Sequence, residues 1–439
     1  MTSTATPSDP LVERLHQIQH LITGGKLAEA AQRLNAVVKS WPGDARIYLM
    51  GMRLAEAAGN PEGAQQAARK AIDLAPDWPV GVTELALLLA RQNQFKEAME
   101  HAETAMRLDG SNPDVLIRVI DIAHRAQSFD RAIEWLERAS AVLPDNTDVK
   151  LLLARDWRET GQPEKALPIY DQLIEAHPND SVALMGRAQT AIATGNLSLA
   201  LRDCEALLAM RPDDEEVRFY LEVARGNTPS RQPQEMVRSL FDGFAEHFDR
   251  RLIAGLKYKL PREVAKIITE RFPDLKLNIL DLGCGTGLLG ACLGRIQGAM
   301  VGVELSPKMI EQAARHGVYD RFHNVDLLDA LEATPESLYD VIAALDVFLY
   351  VGDLSRAIPD AFRILHAGGQ FIFSCERALE EEPDLVLRPT QRFAHKASHV
   401  QGMCSAAGFE QVSIEPMTLR FEKNEPVAGF LVVARKPVA

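Results

Sequence analysis

The chain has 439 residues, of which 46% are hydrophobic and 25% are charged, and its formal net charge is −13. This composition is that of a soluble globular protein with room for two to four domains, and the acidic balance argues against nucleic-acid binding, which needs a basic face. The sequence contains no apolar run as long as a membrane span, no signal peptide and no CxxC pair among its five cysteines, so we expect a cytoplasmic location and no membrane partner.

The first half of the sequence repeats with a period of 34 residues. Six positions at this spacing carry a proline or, once, a glycine, and an alanine precedes each of them by twelve residues, from Ala30 and Pro42 to Ala200 and Pro212. In most units a turn-forming residue such as Gly25 comes five residues before the alanine. Each unit therefore predicts a helix, a tight turn, a second helix and a break. The alanine is the small side chain that lets the second helix approach the first.

This pattern resembles the tetratricopeptide repeat, whose units are helix pairs with a 34-residue period. Six units run from about residue 11 to residue 211, and a capping helix follows near 215–224. The resemblance implies a superhelix whose groove holds a peptide or a partner protein. The alternative is an array that only caps the rest of the chain or forms a homodimer. The predicted domains are a flexible start (1–10), the repeat array (11–225), a polar linker with two prolines (226–235) and a second domain (236–439).

Strands and helices alternate in the second half, which predicts an α/β domain with a doubly wound, mostly parallel sheet. Seven strands are predicted, the last two as an antiparallel hairpin: 277–281, 300–304, 322–325, 341–344, 370–374, 411–416 and 429–434. The first strand leads into a glycine-rich turn, GCGTG at 283–287, and then into a helix. Glycines let the backbone approach a ligand that a Cβ atom would exclude, so the turn predicts a nucleotide-like cofactor.

Two cofactors compete for this turn. The stretch 285–290 satisfies GxGxxG, and Glu304 follows at the distance of a ribose-binding acid, which on its own indicates a dinucleotide such as NAD. Asp281, however, lies two residues before the first glycine, where a carboxylate suits an amine better than a pyrophosphate. Glu304, Asp326 and Asp346 come at the ends of the next three strands. Four acids suit a ligand that carries an ammonium and a sulfonium and no phosphate.

With these motifs the second half resembles the class I S-adenosylmethionine-dependent methyltransferases, which have a Rossmann-like fold. The whole chain resembles the bacterial methyltransferases that contain tetratricopeptide repeats, through its segments 241–249, 256–261, 392–395 and 419–421. Simpler explanations stay open for single acids, because Asp346 could cap a helix and Asp326 could start a turn. The resemblance implies the following cofactor contacts: Asp281 with Gly283, Cys284, Gly285 and Gly287 for the methionine end, Glu304 for the ribose, Leu305, Asp326 and Leu327 for the adenine, and Asp346 where the sulfonium points.

Catalytic residues are not dictated by the reaction, because methyl transfer needs alignment and exclusion of water more than it needs a general base. Tyr258 precedes a predicted helix and is a candidate to face the methyl donor; the alternative is a half-buried structural tyrosine. Phe241, Phe244 and Phe248 have the spacing expected for one face of a helix. They are interpreted either as core residues or as a lid over the cofactor.

His395 is the second catalytic candidate, as a base or a substrate contact. His395 and His399 have the spacing of a metal-binding pair, but the residues 398–401 (SHVQ) read as a capping box that would start a helix after His395. The two histidines would then not share a helix face, so no metal is expected. Phe348 and Tyr350, just past Asp346, are expected to wall the acceptor pocket or to pack beneath it.

The leading interpretation is methylation of a small molecule, or of one attached to a carrier, with the repeats serving partner binding or assembly. A second interpretation is methylation of a protein that the repeat groove delivers. A third is an interaction protein that binds S-adenosylmethionine without catalysis. An enclosed acceptor pocket would favour a small molecule, whereas an open trough continuous with the repeat groove would favour a protein.

Overall fold

The computed structural model describes residues 9–245, 258–422 and 425–438. The chain divides into two units, Met1–Gly195 and Asn196–Ala439. Within the described ranges, no helix is both long enough and apolar enough to cross a lipid bilayer. The predicted flexible start, 1–10, lies almost wholly outside these ranges. The other predicted boundaries, including the linker at 226–235, stay predictions.

Helices follow one another through the first unit and pack in consecutive pairs, as the 34-residue pattern predicts. Each pair is joined by a short turn, and neighbouring pairs also touch one another. The helices are α1 (Pro10–Thr23), α2 (Leu27–Ser40), α3 (Ala45–Ala57), α4 (Pro61–Leu74), α5 (Pro79–Arg91), α6 (Phe95–Asp109), α7 (Pro113–Arg125), α8 (Phe129–Val142), α9 (Thr147–Glu159), α10 (Pro163–Ala176) and α11 (Ser181–Ala193).

The repeat alanines explain the close packing of each pair. All of those in the first unit lie in the second helix of a pair and are fully buried: Ala30, Ala64, Ala98, Ala132 and Ala166. A larger side chain at such a crossing would push the two helices apart, because helix interfaces are packed as densely as crystals. The packing role that the sequence predicts for these alanines is therefore confirmed.

One residue in the turn of each pair has a positive φ. The values are 72° for Gly25, 69° for Gly59, 61° for Asn93, 55° for Gln127 and 83° for Gly161. Glycine and asparagine favour this left-handed conformation, and glutamine does not. Since Gln127 nevertheless adopts it, the geometry of the repeat decides the backbone conformation of this turn.

The second unit begins with helices and continues as an alternation of strands and helices. Its helices are α12 (Leu197–Met210), α13 (Glu215–Ala224), α14 (Gln234–Phe244), α15 (Leu260–Arg271), α16 (Leu288–Leu293), α17 (Pro307–Ala314), α18 (Leu327–Ala333), α19 (Ala357–Ile364) and α20 (Ala397–Ala406), with a 3-10 turn at Phe348–Tyr350. Its strands are β1 (Ile279–Leu282), β2 (Met300–Val303), β3 (Arg321–His323), β4 (Tyr339–Ala344), β5 (Leu365–Ala378), β6 (Leu385–Leu387), β7 (Phe393–Lys396), β8 (Gln411–Glu422) and β9 (Glu425–Arg435).

The sheet has the doubly wound order that the sequence predicts. Strands β3, β2, β1, β4 and β5 are neighbours in that order and run parallel, and β9 and β8 continue the sheet beyond β5 as an antiparallel hairpin. The strand order reverses between β1 and β4, and Asp281 on β1 lies level with Gly302 on β2 and Ala343 on β4. The carboxyl ends of these three strands therefore meet at the switch point where doubly wound sheets bind ligands.

A second hairpin was not predicted from the sequence. Strands β6 and β7 pair antiparallel, and β7 then pairs parallel with the far end of β5. Both strands are very short, three and four residues, so their periodicity is too brief to recognise. This β6–β7 hairpin adds a wall beside the carboxyl end of β4.

Two helical glycines with opposite surroundings test the packing of the first unit. A Cβ atom at Gly186 in α11 would overlap the Tyr170 ring on α10, whereas a Cβ atom at Gly51 in α3 would lie 3.7 Å from its nearest neighbour, Ala67. We expect Gly186→Ala to destabilise the unit by about 1–3 kcal/mol through overpacking. We expect Gly51→Ala to stabilise it by about 0.5–1 kcal/mol, because alanine loses less chain entropy in a helix.

The measurement is urea unfolding followed by tryptophan fluorescence. All four tryptophans lie in the first unit, at positions 41, 78, 135 and 157, so the signal reports that unit alone. Equal effects of the two substitutions would contradict the close contact between α10 and α11.

Candidate active site

A cavity of about 200 Å³ lies at the carboxyl ends of β1, β2 and β4. Nine of the ten predicted cofactor contacts line it: Asp281, Gly283, Cys284, Gly285, Glu304, Leu305, Asp326, Leu327 and Asp346. Tyr258 also lines the cavity, whereas Gly287 and His395 do not belong to its wall. The sheet thus brings together residues that are up to 65 positions apart in the sequence, from Asp281 to Asp346.

The glycine-rich turn is held in a conformation that depends on its glycines. Gly283 has a φ of 63°, and a Cβ atom there would overlap the Val347 side chain. The Cys284 N–H donates to the Val303 carbonyl at 3.0 Å, which ties the turn to β2. Gly287 has a φ of 82° and forms the N-cap of α16. Gly287 therefore shapes the turn without belonging to the cavity wall.

The Glu304 carboxylate is held in place by two backbone hydrogen bonds. Its two oxygens accept the Gly285 N–H at 3.0 Å and the Ser306 N–H at 2.8 Å. The residue is only 7% exposed, and this burial raises the pKa of Glu304 while the backbone hydrogen bonds oppose the rise. A carboxylate has about four lone pairs, so acceptor sites remain for hydroxyl groups of a ligand.

Asp281 is buried at the end of β1, where a tyrosine hydroxyl is its close polar partner. The Tyr319 hydroxyl donates to its Oδ2 at 2.6 Å. Burial raises the pKa of Asp281 to about 7, Tyr319 counteracts the rise, and the nearby Glu304 carboxylate adds to it. A carboxyl group with a pKa this far above its ordinary value becomes ionised readily when a cation binds beside it.

Asp326 and Asp346 differ in their surroundings. Asp326 accepts the Leu328 N–H at 2.9 Å as the N-cap of α18, and Arg231 approaches the same oxygen at 3.4 Å. Asp326 therefore both caps a helix and faces the cavity. Asp346 has a φ of 57° and accepts Arg420 Nη1 at 2.7 Å, while burial raises its pKa against the effect of that guanidinium.

Three arginines that the sequence analysis did not assign to the site line the cavity: Arg231, Arg392 and Arg420. The last of them is the centre of a buried ion-pair network and is only 3% exposed at its side chain. Arg420 donates Nη1 to Asp346, Nη2 to Glu376 and Nε to Glu422. Position 420 lies beyond the predicted end of its strand, and only the pairing of β8 with β9 and of β9 with β5 brings it to the cavity.

His395 lies on β7 and is buried away from the cavity wall. Its Nε2 is 2.8 Å from the Gly352 carbonyl oxygen, and burial lowers the pKa of His395 to about 4. A neutral, buried imidazole with this partner is suited to packing. Its predicted role as a base stays a prediction, and the structure does not bring it to the other site residues.

The predicted capping box at 398–401 is wrong. Helix α20 begins at Ala397 with Lys396 as its N-cap and without a side-chain cap, and the Ser398 hydroxyl donates to Glu380 instead. The two histidines still do not share a helix, because His395 is on β7. Within the described ranges, no group of three or more histidine, cysteine or acidic side chains could hold a metal ion.

The aromatic residues near the cavity divide between wall and core. Tyr350 and Phe241 line the cavity and pack edge to face with ring centres 5.4 Å apart. Phe348 is fully buried against Phe371 and Phe373 and belongs to the core. Phe248 and the side chain of residue 244 lie outside the described part of the chain, so the predicted lid stays a prediction.

Comparison with known proteins gives the class of each part of the chain. Residues 280–373 match a family model described as a methyltransferase domain. Residues 15–79, 89–155 and 158–221 match models described as tetratricopeptide repeats. The chain therefore contains segments that match tetratricopeptide repeats and a segment that matches a methyltransferase domain, which confirms both predicted domain types.

Curated relatives match either part. A ubiquinone biosynthesis O-methyltransferase from Xylella fastidiosa is 28% identical over 116 residues, which cover 26% of this chain and 47% of the relative. A demethylmenaquinone methyltransferase from Symbiobacterium thermophilum is 31% identical over 151 residues, which cover 32% of this chain and 59% of the relative. Cellulose synthase operon protein C from Xanthomonas axonopodis pv. citri is 27% identical over 192 residues, which cover 42% of this chain and 13% of the relative. The chain thus spans about half the length of the two methyltransferases.

The buried network around Arg420 gives a pH-dependent stability prediction. Replacing Arg420 by methionine leaves Asp346 and Glu376 buried without their guanidinium partner, so we expect a loss of about 3–5 kcal/mol at pH 8. Burial already raises the pKa of both carboxyls, and the substitution raises it further. A raised pKa lets the folded state bind protons at higher pH than the unfolded state does, so the loss is smaller at pH 5.

Urea unfolding followed by circular dichroism at the two pH values measures this loss. Arg356→Met is the matched control, because Arg356 pairs with Glu332 at an exposed position. A loss that does not change with pH would contradict the network.

Proposed function

We propose that the second unit is an S-adenosylmethionine-dependent methyltransferase whose acceptor is a small molecule or a small group attached to a carrier. The observation that carries this proposal is the Glu304 carboxylate, buried at the switch point and fixed beside the glycine-rich turn by two backbone N–H groups. The methyltransferase-domain match over 280–373 supports the same reaction class.

The residues of the cavity wall fit this cofactor by their chemistry. Asp281 suits the ammonium group, and Glu304 suits the two ribose hydroxyls. Leu305 and Leu327 offer apolar surface to the adenine, and Asp326 offers an acceptor to its amine. Gly283 leaves the space that a Cβ atom would fill. When bound, the cofactor supplies a methyl group on positively charged sulfur.

A dinucleotide fits the same wall less well. Its pyrophosphate would lie near the glycine-rich turn, next to the buried carboxyl of Asp281 and to Glu304, which already accepts the Gly285 N–H. Two acids at this place repel phosphate groups and attract a cation. The acid pattern therefore favours the sulfonium cofactor over NAD.

The chain's own contribution to methyl transfer is orientation and exclusion of water. Burial raises the pKa of the Tyr258 hydroxyl well above its ordinary value, with the Asp346 carboxylate as the next cause. Tyr258 therefore keeps its proton, and its hydroxyl is available to donate a hydrogen bond to a ligand in the cavity that it lines. Phe241, Leu349 and Tyr350 provide apolar wall that keeps water from the reacting groups.

The apolar lining of the cavity and the names of relatives favour a small acceptor. Phe241, Leu349 and Val351 line the cavity beside the predicted cofactor contacts, and apolar walls of this kind suit a small organic molecule. Two relatives are named as methyltransferases of ubiquinone biosynthesis and of demethylmenaquinone. Methylation of a protein is the second candidate, because the chain also contains tetratricopeptide repeats, which bind partners in other proteins.

Removing the Glu304 carboxylate tests the cofactor assignment. We expect Glu304→Ala to weaken binding of S-adenosylhomocysteine at least a hundredfold, because two charge-assisted hydrogen bonds are lost. Isothermal titration calorimetry measures the affinity. Glu311→Ala, an exposed glutamate on α17, is the control that changes the same charge. Unchanged affinity in Glu304→Ala would remove the basis of the proposal.

Methyl-labelled S-adenosylmethionine tests the reaction. The purified chain is incubated with it and with a cell lysate, and small molecules are then separated from macromolecules. We expect label in a new small-molecule product with the wild-type chain and none with Glu304→Ala. Label in the protein fraction would support protein methylation instead. Binding of the cofactor without any labelled product would support a non-catalytic role.

A further inference from the structure

The cavity has a second polar region besides the predicted cofactor contacts. It consists of Arg392, Arg420 and Tyr350 and is called the arginine wall below. Its residues come from the β6–β7 hairpin, from β8 and from the 3-10 turn after β4. Positions 392 and 420 lie outside the span 280–373 that matches the methyltransferase-domain model.

Two of the three carboxylates that hold the arginine wall do not face the cavity. Glu422 accepts Arg420 Nε at 2.8 Å and also accepts Arg392 Nη1, and Glu376 accepts Arg420 Nη2. Neither glutamate belongs to the cavity lining, whereas both arginines do. Of the charged members of this network, the cavity therefore meets two guanidiniums and the single carboxylate of Asp346.

Of these guanidiniums, Arg392 has N–H donors that remain available for a ligand. Arg420 directs three of its donor groups to three carboxylates, and Arg231 is paired with Asp326 on another part of the wall. Among the described residues, the Glu422 carboxylate accepts a hydrogen bond from Arg392, and the Tyr350 hydroxyl lies close enough to interact with the same guanidinium. A guanidinium has five N–H donors in a planar fork, so donors remain that fit a carboxylate or another anionic oxygen.

The backbone around Arg392 is fixed from two sides. The turn of the β6–β7 hairpin is closed by the Arg388 N–H to the Arg392 carbonyl at 2.8 Å and by the Gln391 N–H to the Arg388 carbonyl at 2.8 Å. The Gln232 side chain donates to the Gln391 carbonyl, and the Gln232 N–H donates to the Tyr350 carbonyl at 3.0 Å. The same short segment thus holds both Arg392 and Tyr350.

Apolar and aromatic side chains line the same cavity beside Tyr350. Phe241 packs edge to face on Tyr350, and Leu349 and Val351 line the cavity on either side of that tyrosine. A charged group at the edge of an apolar, aromatic pocket recognises a ligand with a flat apolar body and one anionic oxygen group.

We propose that the arginine wall is the acceptor subsite of this methyltransferase domain and that it selects an acidic, ring-containing small molecule, whose carboxylate or phenolate oxygen is bound by Arg392 and Tyr350. This inference rests on the proposed function. It names the acceptor's chemical class, which neither the family match nor the relatives' coverage of this chain supplies.

The test measures binding of benzoate and of its neutral analogue benzamide to the full chain saturated with S-adenosylhomocysteine, by ligand-observed NMR titration. We expect benzoate to bind at least tenfold more tightly than benzamide. Arg392→Gln removes the charged donor and is expected to weaken benzoate at least tenfold while leaving benzamide unchanged. Arg392→Lys keeps the charge without the planar fork, so we expect its affinity for benzoate to lie between that of the wild-type chain and that of Arg392→Gln. Arg356→Gln, at an exposed position, is the control.

The outcomes separate this inference from the proposed function. Loss of S-adenosylhomocysteine binding in the wild-type chain would overturn the function itself. Tight S-adenosylhomocysteine binding with equal affinity for benzoate and benzamide would overturn only the subsite. If Arg392→Gln weakens S-adenosylhomocysteine and not benzoate, the guanidinium belongs to the cofactor and the inference is wrong. Circular dichroism of both Arg392 variants distinguishes a lost contact from a lost fold, and Arg392→Lys decides the matter if Arg392→Gln does not fold.

Discussion

The desolvation of carboxylates at one edge of a parallel sheet is the constraint on which the second unit depends. Burial penalises the charged form of Glu304, Asp281 and Asp346, and each of these acids has a different compensating partner. Glu304 accepts two backbone N–H groups, Asp281 accepts a tyrosine hydroxyl, Asp326 caps a helix, and Asp346 meets a guanidinium. The distinct partners keep four acids in one cavity without forcing all of them to be neutral.

The four partners also divide the cavity by chemistry. The acids compensated by neutral donors, Glu304 and Asp281, keep lone pairs and proton affinity for a cationic or hydroxyl-bearing ligand. The acid compensated by Arg420, Asp346, belongs instead to an ion-pair network that continues to Glu422 and Arg392. The part of the cavity beside Glu304 and Asp281 is thus suited to a positively charged group, and the part beside Arg392 carries positive charge itself.

Local sequence patterns were enough for the parts of the fold that depend on short spacings. The repeat alanines, the glycine-rich turn and the acids at the ends of β1, β2 and β4 are read within a few residues. The structure buries the alanines and puts these acids in the wall of one cavity, and their roles there stay predictions. Arg392 and Arg420 could not be assigned in this way. Their place at the cavity follows from strand pairings over long sequence separations, such as Arg420 on β8 reaching Asp346 at the end of β4 through β9 and β5. The strands of the β6–β7 hairpin are too short to show a periodic pattern. The sequence indicated His395 as a candidate base because it is a histidine, but its place on β7 puts its Nε2 beside the Gly352 carbonyl.

The β6–β7 hairpin has a consequence for how such a domain diversifies. It is a short excursion between β5 and α20, and it contributes Arg392 to the cavity while the glycine-rich turn and Glu304 stay on the central strands. Exchanging the hairpin turn changes what the cavity meets at that wall and leaves the strands of the switch point untouched. One part of the cavity wall is therefore set by the central strands, and another part is set by a loop that can be exchanged without altering those strands.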